Sequence, residues 1–369
     1  MAKKQVKLEL TWIGKDQRPR LEPRILIEDT DKSYHSAHRV GENDIFDNRL
    51  IFGDNLLALK ALEQKFAGKI KCICIDPPYN TGSAFKHYDD GIEHSLWLSM
   101  MRDRIALLKQ LLAPQGCMFV CLDDNEAHYF RVMADEIFGR ANFIGDIAWQ
   151  KKYSPGNNQK GLSSDYDHVL LYAKHKNEWE WNLLPRTEKQ DKAYKNPDND
   201  PRGPWKTSDL TRAEHRDRDY YAITTPSGHK VWPAKGRSWS RPPAEIERLR
   251  EDNRLWFGPN GSAKPSLKRF LSEVQKGIVA RALWFREEVG DNEEAKKEAK
   301  VLEESDIFGT SKPERLIKRM IIMGSNPGDI VLGLLRRFRH DGLQLLIRWV
   351  GVGLGWSLGS IAIRTSSPA

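Results

Sequence analysis

The most distinctive chemistry in the sequence comes from Asp76-Pro77-Pro78-Tyr79, which directly follow the apolar run Ile70–Ile75. An apolar run of this length that ends in turn residues predicts a buried strand. In open α/β sheets ligands bind beyond the carboxyl ends of such strands, so the motif lies where a site is expected. An aspartate before two prolines can also form an ordinary turn, because proline fixes φ and ends a strand. The surrounding sequence has to decide between these two readings.

These four residue types could bind the exocyclic amine of a nucleobase. The lone pair of that amine is delocalised into the ring, so methyl transfer needs acceptors that hold its hydrogens and draw the nitrogen toward a tetrahedral shape. The Asp76 carboxylate and the Pro77 carbonyl could be two such acceptors, and the rigid Pro-Pro pair would fix the carbonyl direction. Tyr79 offers a flat face for an extruded base, and such stacking is worth roughly 1–3 kcal/mol. A site of this kind needs neither a metal nor a covalent nucleophile, so no metal ligands are expected.

The elements predicted around this motif alternate between strands and helices. The predicted strands are 50–54, 69–75, 117–122, 143–149, 168–173 and 330–332. The predicted helices are 55–66, 96–112, 125–138 and 313–323. Alternation of this kind argues for an α/β fold with a mostly parallel sheet.

Six blocks of sequence occur in a recognisable order. They are Gly53-Asp54-Asn55-Leu56, Asp76-Pro77-Pro78-Tyr79-Asn80-Thr81-Gly82, Leu122-Asp123-Asp124-Asn125-Glu126, Trp149-Gln150-Lys151-Lys152-Tyr153, Arg202-Gly203-Pro204-Trp205-Lys206 and Thr310-Ser311-Lys312-Pro313-Glu314-Arg315-Leu316-Ile317. With these blocks the chain resembles an amino-group DNA methyltransferase, over about Arg49 to Leu332. More narrowly, it is similar to the methylating, site-recognising subunit of type III restriction–modification systems.

The resemblance implies a site-specific, adenine-N6-specific DNA methyltransferase that uses S-adenosylmethionine as methyl donor and duplex DNA as substrate. It also implies base flipping, direct in-line transfer and a Rossmann-like sheet with helices on both faces. The family's target-amine motif maps onto Asp76, Pro77, Pro78 and Tyr79. Its cofactor-side residues map onto Asp54, Thr310, Lys312 and Pro313. Aspartate at the first motif position favours adenine, since related cytosine N4 enzymes carry Ser there and protein-glutamine methyltransferases carry Asn.

The block order is similar to the circularly permuted β group, in which the catalytic block precedes the recognition domain and the cofactor motifs come last. The predicted parts are an N-terminal arm with the segment leading into the sheet (1–48), a catalytic half (49–176), an inserted target-recognition domain (177–290), a charged linker (291–308), a cofactor-side helix and strand (309–332) and a tail (333–369).

The inserted segment contains a run that could contact DNA. Its candidate DNA-binding residues are Lys230, Lys235, Arg237 and Arg241. They surround Trp232 and Trp239 with no acid between them, which suits phosphate contacts combined with stacking or packing. Tryptophans more often pack a core, and residues 196–242 hold nine basic side chains against six acids. Direct DNA contact by at least two of the four basic residues is the expectation.

The tail differs in composition from the preceding chain. Residues 333–369 hold five arginines, one acid and no lysine. The family's Phe-x-Gly-x-Gly motif, whose glycines let the backbone approach the methionine part of the cofactor, should follow strand 329–332 but is absent. If Leu335 to Gly342 are encoded CTT CGC CGG TTC CGG CAC GAC GGC, a reading frame one nucleotide later gives Phe-Ala-Gly-Ser-Gly-Thr-Thr. We therefore expect a frameshift near Leu332–Leu335, a loosely packed tail and a sheet that lacks its C-terminal part.

Composition and charge set wider limits. A length of 369 residues predicts about two domains, and 39% hydrophobic with 30% charged residues excludes fibrous and disulfide-scaffold classes. The net charge of +8 favours a polyanionic partner. The four cysteines lie in apolar runs without C-x-x-C spacing, which predicts buried free thiols in a reducing cytoplasm: Cys72, Cys74, Cys117 and Cys121. The only long apolar stretch, 343–363, contains four glycines, so we expect a cytoplasmic protein without a membrane span.

Two questions stay open at this point. Resemblance to type III systems suggests a homodimer and a restriction subunit with helicase and nuclease activity as partners, but stand-alone methyltransferases use the same blocks. The alternative function is a catalytically inactive DNA-binding remnant, because the glycine-rich cofactor motif is missing.

The nucleotide sequence of codons 330–345 checks the frameshift hypothesis. We expect these codons to encode the glycine motif in a neighbouring frame. Codons that encode it in no frame would instead indicate a divergent cofactor loop.

Overall fold

The structure is a computed structural model that describes residues 9–33, 48–81, 84–85, 88–89, 93–154, 161–302, 312–335, 344–349 and 360–366. The chain divides into two compact units. The first unit is Met1–Asn182 with Ala280–Ala369, and the second is Leu183–Val279. The second unit lies within the predicted insertion, 177–290.

The helices and strands follow the chain in this order. The helices are α1 (Asn55–Phe66), α2 (His94–Leu111), α3 (Ala127–Phe138), α4 (Glu188–Asp191), α5 (Pro243–Glu251), α6 (Arg286–Val289), α7 (Asn292–Leu302) and α8 (Glu314–Gly324). The first strands are β1 (Ile25–Glu28), β2 (Asn48–Phe52), β3 (Ile70–Ile75), β4 (Ala84–Phe85), β5 (Tyr88–Asp89), β6 (Leu112–Leu122), β7 (Phe143–Gln150), β8 (Tyr166–Ala173), β9 (Leu184–Pro185) and β10 (Trp205–Asp209). The remaining strands are β11 (Thr211–Arg212), β12 (Ile223–Thr224), β13 (Lys230–Val231), β14 (Ser238–Trp239), β15 (Leu255–Trp256), β16 (Ser266–Phe270), β17 (Gly277–Ile278), β18 (Leu283–Trp284), β19 (Ile330–Leu335), β20 (Gln344–Trp349) and β21 (Ser360–Ser366).

One large sheet organises the first unit. Its strand order is β1-β21-β2-β20-β19-β3-β6-β8-β7-β18. The central strands β19, β3 and β6 run parallel, as do β21 with β2 and β7 with β18. The other neighbouring pairs are antiparallel. The predicted α/β class with a Rossmann-like sheet is confirmed.

Helices cover both faces of the central strands because strand side chains alternate between faces. On one face, Ile73 of β3 belongs to a buried cluster with residues of α1, α2 and α3. On the other face, a Cβ added at Gly324 of α8 would lie 2.7 Å from Cys117 Sγ and 2.8 Å from Cys72 Sγ. Helix α8 therefore packs directly on the sheet, and glycine at its last residue permits this close approach. All four cysteines are buried and free, as predicted.

The tail corrects one expectation. Instead of a sheet without its C-terminal part, β20 pairs with β19 and β2, and β21 pairs with β2 and β1. The physical reason is that strand pairing uses backbone groups, which any sequence without proline supplies. The rest of the tail after residue 335 lies outside the described residues. The frameshift concerns the codons and stays a prediction.

The second unit has its own small core. Strands β10, β16 and β15 form a three-stranded antiparallel sheet, and the other strands of the unit pair as β11-β14, β12-β13 and β9-β17. The buried core residues are Leu210, Ile223, Trp239, Ile246, Leu255 and Phe257. Trp239 therefore packs in the core, whereas Trp232 is 49% exposed. Across the described part of both units, every helix is too short or too polar to cross a membrane.

Candidate active site

The Asp-Pro-Pro-Tyr motif leaves the sheet at the carboxyl end of β3, as predicted. Strand β3 ends at Ile75, and Asp76 is the next residue. The indole Nε1 of Trp97, a fully buried residue of α2, donates a 2.9 Å hydrogen bond to the Pro78 carbonyl. Within the described residues no hydrogen bond reaches the Pro77 carbonyl. The turn is thus fixed through the Pro78 carbonyl.

An ion pair joins Asp76 to Lys312, 236 residues further along the chain. The Lys312 ammonium lies 2.8 Å from Asp76 Oδ1 and 2.9 Å from Oδ2. It also lies 4.9 Å from the ring centre of Tyr79. Burial lowers the pKa of Lys312, but the Asp76 charge opposes this and the pKa is raised overall. Two sequence-predicted site motifs therefore meet, with the lysine charged.

A second acid holds the hydroxyl of Tyr79. The Tyr79 hydroxyl donates to Asp167 Oδ2 at 3.1 Å, and the Lys151 ammonium lies 2.6 Å from Asp167 Oδ1. Burial, together with the charges of Asp76 and Asp167, raises the pKa of Tyr79 well above its usual value. The phenol therefore stays a neutral donor. The sequence indicated no role for Asp167, because it is one residue of an otherwise ordinary strand.

The turn after the motif is held by Glu126. Asn80 has a left-handed backbone with φ of 58°, and its Nδ2 donates to Glu126 Oε1 at 2.7 Å. His94 Nδ1 lies 2.9 Å from the same oxygen. Glu126 is almost fully buried. Its block was recognised by resemblance alone, without a role, and the structure shows that it supports the turn.

The predicted cofactor-side residues have different positions. Asp54 follows β2 and begins α1, where its Oδ1 accepts the N–H groups of Leu56 and Leu57 at 2.9 and 3.2 Å. Its side chain is 53% exposed, and Arg104 Nη2 lies 3.6 Å from it. Pro313 immediately precedes α8, which brings Lys312 into the site. Thr310 lies outside the described residues. Cofactor binding by these residues stays a prediction.

The four candidate DNA-binding residues of the second unit fall into two groups. Arg237 pairs with Asp209 at 3.0 Å, and Arg241 pairs with Glu245 at 3.2 Å. Lys230 and Lys235 are exposed, and neither has a carboxylate of the described residues within ion-pair distance. Two of the four cations are therefore available to a phosphate without breaking an ion pair.

The parallel central strands, with a carboxylate and an aromatic ring at the carboxyl end of β3, define a Rossmann-like α/β protein with a site at the usual edge. Residues 70–333 match the model of a family described as DNA methylase. The chain belongs to that family.

Curated relatives include type III Mod subunits and a type II methyltransferase. The type III StyLTI Mod subunit of Salmonella typhimurium is 30% identical over 360 residues, covering 88% of this chain and 53% of that protein. The type III EcoP15I Mod subunit of Escherichia coli is 31% identical over 211 residues, covering 47% of this chain and 32% of that protein. The type II methyltransferase M.EcaI of Enterobacter cloacae is 27% identical over 318 residues, covering 84% of this chain and 67% of that protein. The chain thus spans about half the length of the StyLTI subunit.

Two solved structures have local similarity to this chain. The M1.HpyAVI–SAM complex has 22% identity and a TM-score of 0.26, over 41% of this chain and 59% of that one. The cytosine-N4-specific PvuII DNA methyltransferase has 17% identity and a TM-score of 0.27, over 36% of this chain and 51% of that one. The description of the fold rests on the strand order of this chain.

Asp123, at the carboxyl end of β6, provides a pH-dependent prediction. Burial raises its pKa to about 6, whereas an aspartate in an unfolded chain titrates near 4. The folded state therefore holds a proton that the unfolded state has lost, and the free energy of unfolding should fall as pH rises from about 4 to about 6. The contribution is on the order of 1–3 kcal/mol.

Replacement of Asp123→Asn should remove this contribution, since the amide resembles the protonated acid. Urea unfolding between pH 4 and pH 7 measures it, with Asp124→Asn at the exposed neighbouring position as control. Parallel pH profiles for wild type and Asp123→Asn would contradict the prediction.

Proposed function

We propose that the chain is a site-specific DNA methyltransferase that moves a methyl group from S-adenosylmethionine to adenine N6 in duplex DNA. The observation that carries this proposal is the position of the Lys312 nitrogen. A nitrogen that carries hydrogens lies within 2.9 Å of both Asp76 oxygens and 4.9 Å from the Tyr79 ring centre. An adenine amine on a base stacked against Tyr79 has the same requirements.

The site residues can perform the reaction without a covalent intermediate. The Asp76 carboxylate and the Pro77 carbonyl accept the two amine hydrogens, which localises the lone pair on N6. As the methyl group arrives in line, positive charge develops on N6, and the fixed negative charge of Asp76 stabilises it. The same carboxylate is placed to take the proton that the methylated nitrogen releases.

The target amine has to replace the Lys312 ammonium. The neutral amine needs the same Asp76 oxygens as the ammonium, and once positive charge develops on N6 the two nitrogens would repel each other strongly. Lys312 therefore needs another anionic partner when the base enters. The carboxylate of S-adenosylmethionine is a suitable one.

The donor set fits S-adenosylmethionine in its chemistry. When bound, the cofactor supplies an electrophilic methyl group on a sulfonium. Lys312 would pair with its carboxylate, and the exposed face of the Asp54 carboxylate would accept hydrogen bonds from its hydroxyl or ammonium groups. Thr310 and Pro313 are the other residues that we propose for this site, from the family motif.

Partners and context follow from the named relatives. Four relatives with 30% identity or more over parts of this chain are named as type III Mod subunits, one of them as a probable one. We therefore propose a role in a restriction–modification system, with duplex DNA as substrate, base flipping as the route to the amine, a restriction subunit as partner and a homodimer as assembly. A cytoplasmic location belongs to this proposal.

One observation favours a second function, that of a catalytically inactive DNA-binding remnant. The family match ends at residue 333, which is where the missing glycine motif should begin. Without that loop the backbone has no close approach to the methionine part of the cofactor. Calorimetric titration separates the two functions. A dissociation constant near 1 μM, about −8 kcal/mol, supports the enzyme, and no binding supports the remnant.

Replacement of Asp76→Ala should abolish methyl transfer, because it removes both the acceptor and the charge that stabilises N6. We expect tritium incorporation from S-adenosylmethionine into duplex DNA to fall about 100-fold or more. Asp146→Ala is the control, since this acid lies on β7, is 43% exposed and pairs with His168. Equal incorporation by the wild type and Asp76→Ala would show that Asp76 neither binds the target amine nor stabilises the charge on N6.

Replacement of Lys230→Ala together with Lys235→Ala should weaken the salt dependence of DNA binding. Each phosphate contact contributes about 0.9 to the slope of log K against log salt concentration, so the slope should fall by up to about 2. Arg237→Ala should change it less, because Arg237 already pairs with Asp209. Fluorescence anisotropy at several salt concentrations measures the slope, and an unchanged slope in the double variant contradicts DNA contact by these lysines.

A further inference from the structure

Asp167 lies next to the candidate active site. It belongs to none of the sequence motifs from which that site was predicted. We propose that Asp167 is a positioning residue, which fixes the ring of Tyr79 through its hydroxyl and so prepares the surface for the target base. This inference rests on the proposed function, because it concerns the same base.

Both oxygens of Asp167 are engaged. Oδ2 accepts the Tyr79 hydroxyl at 3.1 Å, and Oδ1 lies 2.6 Å from the Lys151 ammonium. Asp167 is 1% exposed. A carboxylate as buried as this needs a cationic partner, and Lys151 supplies it. Asp167 is therefore held through both oxygens before any ligand binds.

Asp167 lies on a paired strand of the large sheet, and Lys151 lies next to it. Asp167 of β8 is opposite Trp149 of β7 in the antiparallel register. Lys151 follows β7 directly, and its backbone N–H donates to the Asp165 carbonyl at 2.9 Å. The acid and its lysine thus extend a paired set of strands. Asp167 is thus held by strand pairing, and Lys151 by a backbone hydrogen bond to the residues that precede β8.

The ring of Tyr79 is consequently held at both ends. Its backbone follows Pro78, whose carbonyl is bound by Trp97, and its hydroxyl is bound by Asp167. A ring fixed at only its Cα can swing about χ1, and an entering base would then have to order it. Fixing the ring in advance lowers the entropy lost when the base stacks. Asp167 should therefore affect base binding and transfer without touching the base.

A double-mutant cycle with Tyr79→Phe and Asp167→Asn tests this coupling, and Asp146→Asn on the neighbouring strand is the matched control. Methyl transfer is measured on the full chain. In the wild-type background, Asp167→Asn should lower kcat/KM roughly 10-fold, as expected for loss of a hydrogen bond to a charged group. In the Tyr79→Phe background the same substitution should cost less than about 2-fold, because the hydroxyl is already gone. Equal losses in both backgrounds would overturn the proposal.

A second measurement is independent of activity. The order parameter of the ¹³C-labelled Tyr79 ring, assigned from its absence in Tyr79→Phe, should fall in Asp167→Asn and stay unchanged in Asp146→Asn. An unchanged order parameter in Asp167→Asn would also overturn the proposal. If the wild type transfers no methyl group to DNA, the proposed function fails, and the ring measurement alone decides whether Asp167 positions Tyr79.

Discussion

The pairing of Asp76 with Lys312 is the interaction on which the site depends. A charge in a site this sheltered is costly unless an opposite charge lies beside it, and removal of one partner leaves the other uncompensated. The partners come from the end of β3 and the start of α8, so the pair forms only when that helix packs on the sheet. Gly324 permits this packing by letting α8 approach Cys72 and Cys117. The packing of α8 and the assembly of the site are therefore one requirement.

The charges around Tyr79 form two balanced pairs, and this balance makes the site stable before a ligand arrives. Lys312 neutralises Asp76 on one side of the ring, and Lys151 neutralises Asp167 at its hydroxyl. The two pairs differ in what a ligand can do to them. Asp167 already uses both oxygens on partners that a base does not replace. Asp76 is paired with the Lys312 side chain, and in the proposed reaction it exchanges this partner for the target amine.

Local features of the sequence predicted the elements and the main motif, whereas contacts between distant segments were out of reach. Helix α1 and strand β3 were predicted closely because apolar spacing and turn residues mark their ends. The role of Asp167 depends on the register of β8 beside the motif, and no local pattern carries that register. The same limit applies to Arg237, whose pairing with Asp209 appears only in the folded second unit. Strands β20 and β21 were not predicted, because the expectation for the tail was based on its amino-acid composition. Backbone pairing between strands depends little on composition.

Exchange at Asp76 links the two substrates of the proposed reaction. The base amine can bind only when Lys312 leaves the carboxylate, and Lys312 leaves at low cost only when another anion accepts it. The proposed cofactor carries such an anion and also the methyl group, so when bound it would both release Lys312 from Asp76 and supply the electrophile. By linkage, a base bound at Asp76 must strengthen cofactor binding by the same factor. A lysine that holds the acid in the absence of ligands is thus compatible with catalysis, because its ammonium balances the Asp76 carboxylate until both substrates are present.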